Sequence, residues 1–326
     1  MEIKVIRKAA GILTLAILMG INLFAQERND VIRAYNEGAK ASSTDPVAAI
    51  NSFENAITLA DKVGEGATDL KQKAEKVLPG LYVKVALNSL NEKKPAAEII
   101  QAAKNAAAVS EKYGSTTNKD NAGKILVAGY GSLAGDYFAK EDFGNALATF
   151  DTLLSINPDY LTAYYNKALI YIKQGDSESF EKDIDIYLEK LKAANDEEKV
   201  SQASTMALEY FRAAGSQASQ ADNLDEALTL LDKAAKYGDD KDLFYYYADV
   251  YNKKKDFNKG AEFAQKGLDL ETGDAEAKAK FYYQLATAQV GKGQTAEACT
   301  SFKNALYGPF AEASKAQRTN LKCGDN

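Results

Sequence analysis

The feature that most constrains this chain is a pattern of apolar and small residues that returns after about 34 positions. Its clearest copy runs from Val127 to Tyr160. Counted from Val127, places 4, 7, 8 and 11 hold Tyr130, Leu133, Ala134 and Tyr137, and places 20, 24 and 27 hold Ala146, Phe150 and Leu153. Pro158 stands at place 32. The first four fall on one face of a helix and the next three on one face of a second. Small residues at 8 and 20 let the two backbones approach, the aromatic at 24 fills the gap to the next pair, and proline stops the second helix. The next copy starts 34 residues on, at Leu161, with Tyr164, Ala168 and Tyr171, the turn Gln174-Gly175-Asp176, then Phe180, Ile184 and Tyr187. Three further copies carry Phe211, Gly215, Ala227 and Leu231; then Phe244, Ala248, Gly260 and Ala264; then Tyr282, Ala286, Ala298 and Phe302. Helical periodicity alone would fit any bundle, but five copies sharing one two-helix spacing argue for a stack of helix pairs. No single pair buries its apolar face, so the array should behave as one cooperative unit.

These places resemble the tetratricopeptide repeat, W-x2-L-G-x2-Y…A-x3-F…P, with Tyr for Trp and Ala for Gly. Residues 163–176 (AYYNKALIYIKQGD) follow that family's first helix almost letter for letter, except that Lys167 stands where leucine is expected. The resemblance implies an all-α fold, a right-handed α-solenoid of antiparallel helix pairs. Toward the N-terminus the pattern decays. Tyr35, Gly38, Pro46, Ala49, Phe53 and Ala56 make one recognisable unit, and Leu78 to Tyr113 reads as two helices broken at Asn91–Pro95. The expected organisation is seven helix pairs: degenerate repeats over 26–113, a loop or hinge over 114–126, five repeats over 127–312, and a capping helix and tail over 313–326. Residues 195–199 read as a small insertion.

Residues 1–25 read as an address. Met1 to Lys8 carries three basic residues, residues 9–24 are uncharged and mostly apolar, and Ala25-Gln26 offers a small residue before a polar start. This is the build of a secretory signal peptide, so the chain is expected to be of exported bacterial type, periplasmic or cell-envelope associated, and without a stable membrane span once the signal is removed. Leu23 is bulky for its place before the cleavage point, which keeps an uncleaved anchor as the alternative.

The charge of −6 and pI near 5.1 offer no basic face for a phosphate backbone, so nucleic acid is excluded as a partner. There is no histidine at all, which removes histidine-based acid–base relays and histidine-ligated metals. Gly129-Tyr130-Gly131 grazes a dinucleotide fingerprint but falls inside a repeat's first helix rather than after a strand. Ser179 and Lys182 match a serine–lysine spacing whose companion motifs are missing. Asp239, Asp240 and Asp242 lack the alternation of a calcium loop. The chain therefore reads as no enzyme, with no cofactor and no metal.

Cys299 and Cys323 are the two cysteines. Cys299 follows Ala298 on the second helix of the last repeat, Gly308-Pro309 ends that helix, and Ala311 to Lys322 reads as one capping helix. In an antiparallel hairpin, residues equidistant from the turn face each other, and both cysteines lie 12 residues from position 311. A disulfide is expected, with two unpaired thiols as the alternative.

The family resemblance also implies a binding groove lined by exposed places of the first helices. Place 5 is Tyr165, Arg212, Tyr245 and Tyr283 in successive units, and place 6 gives Asn166, Tyr246 and Gln284. Places 9 to 13 add Lys173, Asp249, Asn252 and Lys253. The unit before presents Gly131, Ser132 and Gly135, with little to grip. The family's clamp for a terminal carboxylate needs Lys at place 5 and Asn at place 9; Tyr165 and Leu169 stand there, so the clamp does not carry over. The expected partner is a protein or peptide. A self-associating component of an envelope assembly and a glycan- or nutrient-binding protein are the alternatives, and packing between repeats is the other use for these tyrosines.

Overall fold

The computed structural model of the protein describes residues 26–324, so the signal expected over 1–25 lies outside the described residues. Among the described residues all regular structure is helical. The chain divides into two compact units at Ala163–Tyr164.

The first unit holds three helix pairs: α1 (residues 26–41) with α2 (Pro46–Val63), α3 (Thr68–Asn91) with α4 (Ala96–Lys112), and α5 (Thr116–Ala139) with α6 (Phe143–Ile156). α7 (Leu161–Gln174) crosses the division. The second unit continues with α8 (Ser177–Ala193), then pairs α9 (Glu197–Gln220) with α10 (Leu224–Ala235), α11 (Lys241–Lys253) with α12 (Phe257–Leu270), and α13 (Ala275–Gly291) with α14 (Thr295–Asn304). A short 3-10 turn, Gly308–Phe310, leads into α15 (Ala311–Asn320). The fold is a helical solenoid of antiparallel pairs: α3 packs on α5 in the first unit, and α9 on α11 on α13 in the second, so first helices stack on first helices.

The repeat residues are the core. Ala134 and Ala146 have no exposed surface and Phe150 has 1%; Ala168 and Phe180, Ala227 and Leu231, Ala248 and Ala264, and Ala286, Ala298 and Phe302 are buried in the same way. A fully buried Phe or Leu side chain contributes about 1.5–3 kcal/mol, so Phe150, Phe180, Leu231 and Phe302 supply much of the driving force in their pairs. Gly215 shows why a small residue sits at place 8: a Cβ there would lie 2.8 Å from Leu231 of α10. The degenerate N-terminal pair uses the same device, with the Tyr35 and Phe53 rings edge to face at 5.3 Å and Gly38 against Phe53.

The turns inside the pairs share one chemistry. The first helix ends on a residue of positive φ, Glu141 at 58°, Gly175 at 71°, Asp222 at 62°, Lys255 at 63° and Gly293 at 73°. The next amide closes back on the helix, as in Asp142 N–H to the Tyr137 carbonyl and Asp256 N–H to the Tyr251 carbonyl, both 2.9 Å. This satisfies carbonyls left open at a helix end. The carboxylates of Asp142, Asp176 and Asp256 then cap the second helix by accepting from the amide three residues on.

Three expected boundaries differ. Of residues 114–126, expected as a loop or hinge, Gly114 and Ser115 form the turn and the N-cap, and 116–126 form the first turns of α5. Their polar side chains are spaced around buried Ala122 and Ile125, so a helix with one wet face looks like a loop by composition. Residues 195–199, expected as an insertion, are one left-handed residue, Asn195 at φ 55°, then the cap Asp196 and the start of α9. The C-terminal helix begins at Ala311, the start expected for the capping helix that precedes Cys323, two residues ahead of the domain bound at 313.

Candidate binding face on the first helices

Of the eleven residues expected in a groove, two are interior. Asn252 is 7% exposed and Gln284 5%. The Asn252 side-chain amide donates to the Gln284 backbone carbonyl at 2.9 Å and to its Oε1 at 3.0 Å. The reason is local: Gly260 on α12 leaves room for the Asn252 amide, whose Oδ1 would lie 2.1 Å from any Cβ added there. The pair belongs to a polar ladder across three first helices. Gln284 Nε2 on α13 donates to Asp249 Oδ1 on α11 at 3.3 Å, Ser219 Oγ on α9 donates to Asp249 Oδ2 at 2.9 Å, and Lys253 pairs with Asp249 at 2.8 Å while donating to Ser219 Oγ at 2.9 Å. In a setting of low dielectric such a chain fixes relative placement. These residues set how the pairs stack and are not offered to a partner.

Most other expected contacts are also committed within the protein. Arg212 forms an ion pair with Asp240, the residue that caps α11. Asp242 pairs with Lys280, so the acidic turn at 239–242 serves neighbouring helices rather than a cation. Tyr245 stands edge to face on buried Phe281 at 6.1 Å with Tyr246 5.2 Å away, and burial raises the Tyr245 phenol. Tyr283 packs on Phe302 at 5.6 Å and Phe310 at 5.4 Å. Of the four place-5 residues, two are therefore packed tyrosines and one is a paired arginine.

Tyr165 differs. It is 37% exposed, and its ring meets Tyr187 of α8 at 5.6 Å and 44°. The two rings wall a cleft of about 330 Å³ completed by Lys199, Gln202, Ala203 and Met206 of α9. Burial raises the Tyr187 phenol against the opposing effect of Lys199, so that ring keeps its hydroxyl proton at neutral pH. Lys199 is paired with Asp196 at 2.6 Å across the rim. The cleft suits a side chain with an apolar body and a polar end. Asn166 is half-buried and Lys173 is exposed on the same α7.

Four residues of this cleft escaped the repeat spacing because they lie on the first half of α9, ahead of the pattern. Ala203 and Ala207, four apart and 3% and 0% exposed, are the signal that could have placed that segment on a buried helix face.

The expected disulfide residues meet: Cys299 and Cys323 are bonded, with Cα atoms 5.6 Å apart. Among the described residues no helix is long and apolar enough to cross a membrane.

Comparison with known proteins is consistent with the repeat spacing. The tetratricopeptide repeat family model matches residues 161–185. No curated protein matches the chain significantly. Similar solved structures include the MamA protein, at 18% identity over 61% of this chain and 96% of that one with a TM-score of 0.34. YrrB, described as a TPR protein with an unusual peptide-binding site, is 16% identical over 58% of this chain and 91% of that one, with a TM-score of 0.36. A tetratricopeptide repeat protein from Parabacteroides merdae is 18% identical over 91% and 99%, with a TM-score of 0.29.

Proposed function

We propose that this chain, a scaffold of tetratricopeptide-type helix pairs, works without catalysis by holding an extended polypeptide against its first helices, with the Tyr165–Tyr187 cleft as the anchor. The observation that carries the reading is the contrast among the place-5 residues. Tyr245, Tyr283 and Arg212 are used up in packing and ion pairs, while Tyr165 keeps more than a third of its surface open above a cleft that nothing among the described residues fills. Exposed tyrosine gives a large contact area at a low ordering cost. The surrounding cations Lys199, Arg212, Lys253 and Lys280 are each paired with a carboxylate, so the face favours apolar and neutral polar groups over phosphates.

The same reading places the protein outside the cytoplasm, in the periplasm or cell envelope. It is supported by the basic, apolar, small-residue order of residues 1–25 and by the Cys299–Cys323 bond, which suits an oxidising compartment.

A photoreactive phenylalanine analogue at position 165 in cells tests both. The expected result is an envelope-fraction adduct with a polypeptide, lost when the probe moves to Gln265 on the outer helix α12. Adducts of equal yield at both positions, or with the chain itself only, would replace the adaptor reading by non-specific contact or self-association.

A further inference from the structure

The C-terminal helix carries a second device. α15 covers the last pair, where Leu321 lies against the cluster of Ala286, Ala298, Phe302 and Tyr283. Its own sequence, AEASKAQRTN, has no apolar face, and the one buried residue among its ten is Ser314. A ten-residue helix is too short to persist alone, and helices in proteins are normally held by an amphipathic face that this one lacks. Its non-covalent ties to the last pair include Phe310 against Tyr283 at its start, half-buried Leu321, the Arg318 guanidinium donating to the Cys299 carbonyl at 2.6 Å, and the Ser314 hydroxyl on the Ala305 carbonyl at 3.3 Å; within the cap Arg318 also donates to the Gly324 carbonyl at 3.1 Å. The disulfide is the covalent tie.

That disulfide is approachable. Both cysteines are half-buried, and both line a surface groove of about 460 Å³ together with the cations Lys303, Arg318 and Lys322. Positive surroundings favour the thiolate that leaves when a disulfide opens, and exposed disulfides are the labile ones. At the other end of the cap, Gly308 at φ 53° followed by Pro309 gives a defined pivot between the last pair and α15.

We propose that Cys299–Cys323 is a redox latch: oxidised, it holds α15 over the end of the array; reduced by a dithiol, it releases α15 and uncovers the apolar end face of Ala286, Ala298 and Phe302. In the opening step a thiolate of the dithiol attacks one cysteine sulfur, the S–S bond breaks, and the other cysteine leaves as a thiolate. The second thiol of the reductant then displaces the first cysteine. The reductant ends as a disulfide, two electrons pass to the protein, and the two cysteine thiolates take up the two protons given up by the dithiol.

Hydrogen exchange of the full chain, read by mass spectrometry with and without dithiothreitol, tests the latch, with thiol titration to establish reduction. The expected result is two thiols per chain and at least about a tenfold faster exchange over 311–320, with α11 and α13 unchanged. Cys323→Ser should show the same local release without reductant. Three results overturn the proposal: no thiols released under native conditions, unchanged protection of 311–320 in the reduced chain, or loss of protection spreading through α11 to α14. The last would make the bond a general support of the fold instead of a latch on one helix.

Discussion

The Lys167 ammonium on α7 lies 3.2 Å from Asp183 Oδ2 on α8, and both side chains are almost wholly buried. Lysine at place 7 departs from the repeat pattern, and the departure is matched by a carboxylate on the facing helix of the same pair. Removing one partner of a buried ion pair takes a counter-charge from the other in a site that water does not reach. Lys167→Met or Asp183→Leu alone should therefore cost about 3–5 kcal/mol. The double change Lys167→Leu with Asp183→Leu restores the apolar place 7 and should recover most of that loss. Chemical denaturation of the three variants checks both statements. A double variant as unstable as either single one would show that the pair does more than replace a leucine.

The tyrosines divide by role. Tyr245→Ala and Tyr283→Ala remove rings packed on Phe281, Phe302 and Phe310, and each should lower stability by about 2–4 kcal/mol. Tyr165→Ala should leave the melting temperature within a few degrees of the parent while weakening capture of the polypeptide found by crosslinking. Differential scanning calorimetry with binding measured in parallel separates the two classes.

The polar ladder should act as a unit. Asn252→Ala leaves the buried Gln284 Oε1 without its donor, a cost of about 1–3 kcal/mol. Gln284→Ala should cost a similar amount, and the two together less than their sum, because both remove the bond from Asn252 Nδ2 to Gln284 Oε1. Additive losses in urea melts would contradict this coupling.

Stability should be flat in pH across the neutral range, since no histidine is present to titrate there. On the alkaline side the Tyr82 phenol, raised by burial and its bond to Glu54 to about 12, and the phenols of Tyr237 and Tyr247, raised by burial and their bonds to Asp185 and Asp232, stabilise the fold while protonated. Their contribution is complete below the ordinary tyrosine pKa of about 10 and is lost as pH rises through the elevated values. On the acid side Glu271, lowered by Lys241, and Asp69, lowered by Arg28, contribute above the ordinary carboxylate range and lose that contribution as pH falls. Thermal melts across pH should fall away at both ends, and Tyr237→Phe should blunt the alkaline fall.

The left-handed residue in each turn offers a gain as well as a loss. Gly175→Ala puts a Cβ at φ 71° and should cost about 1 kcal/mol, whereas Lys255→Gly relieves a side chain held at φ 63° and should stabilise by up to about the same amount.

The fold was readable because its core is periodic. Ala134, Ala146 and Phe150 stand at fixed places and are buried for the reasons their spacing suggested, and the turn at Gly175-Asp176 is where its residue types put it. The face was harder to read. Place 5 says which way a side chain leaves the helix but not what the next pair brings up to it, and Phe281, Phe302 and Asp240 decide the fate of Tyr245, Tyr283 and Arg212. Asn252 and Gln284 look like surface residues by type and are interior because the Asn252 amide donates to Gln284 and the Gln284 amide donates to Asp249. Residues 116–126 look like a loop because their wet side is rich in Thr, Asn and Lys.

The length of α9 changes where this chain can be cut. Its second half pairs with the twelve-residue α10, while its first half lies along α8, bringing Ala203 and Met206 beside Tyr187. A fragment library laid out on the repeat spacing would begin a unit near Leu208 and cut through the middle of α9, leaving both products with a truncated helix. The seam between exchangeable modules runs instead through Asn195-Asp196, where one helix has closed and the next is already capped. Grafted or shuffled versions of this protein should be joined there.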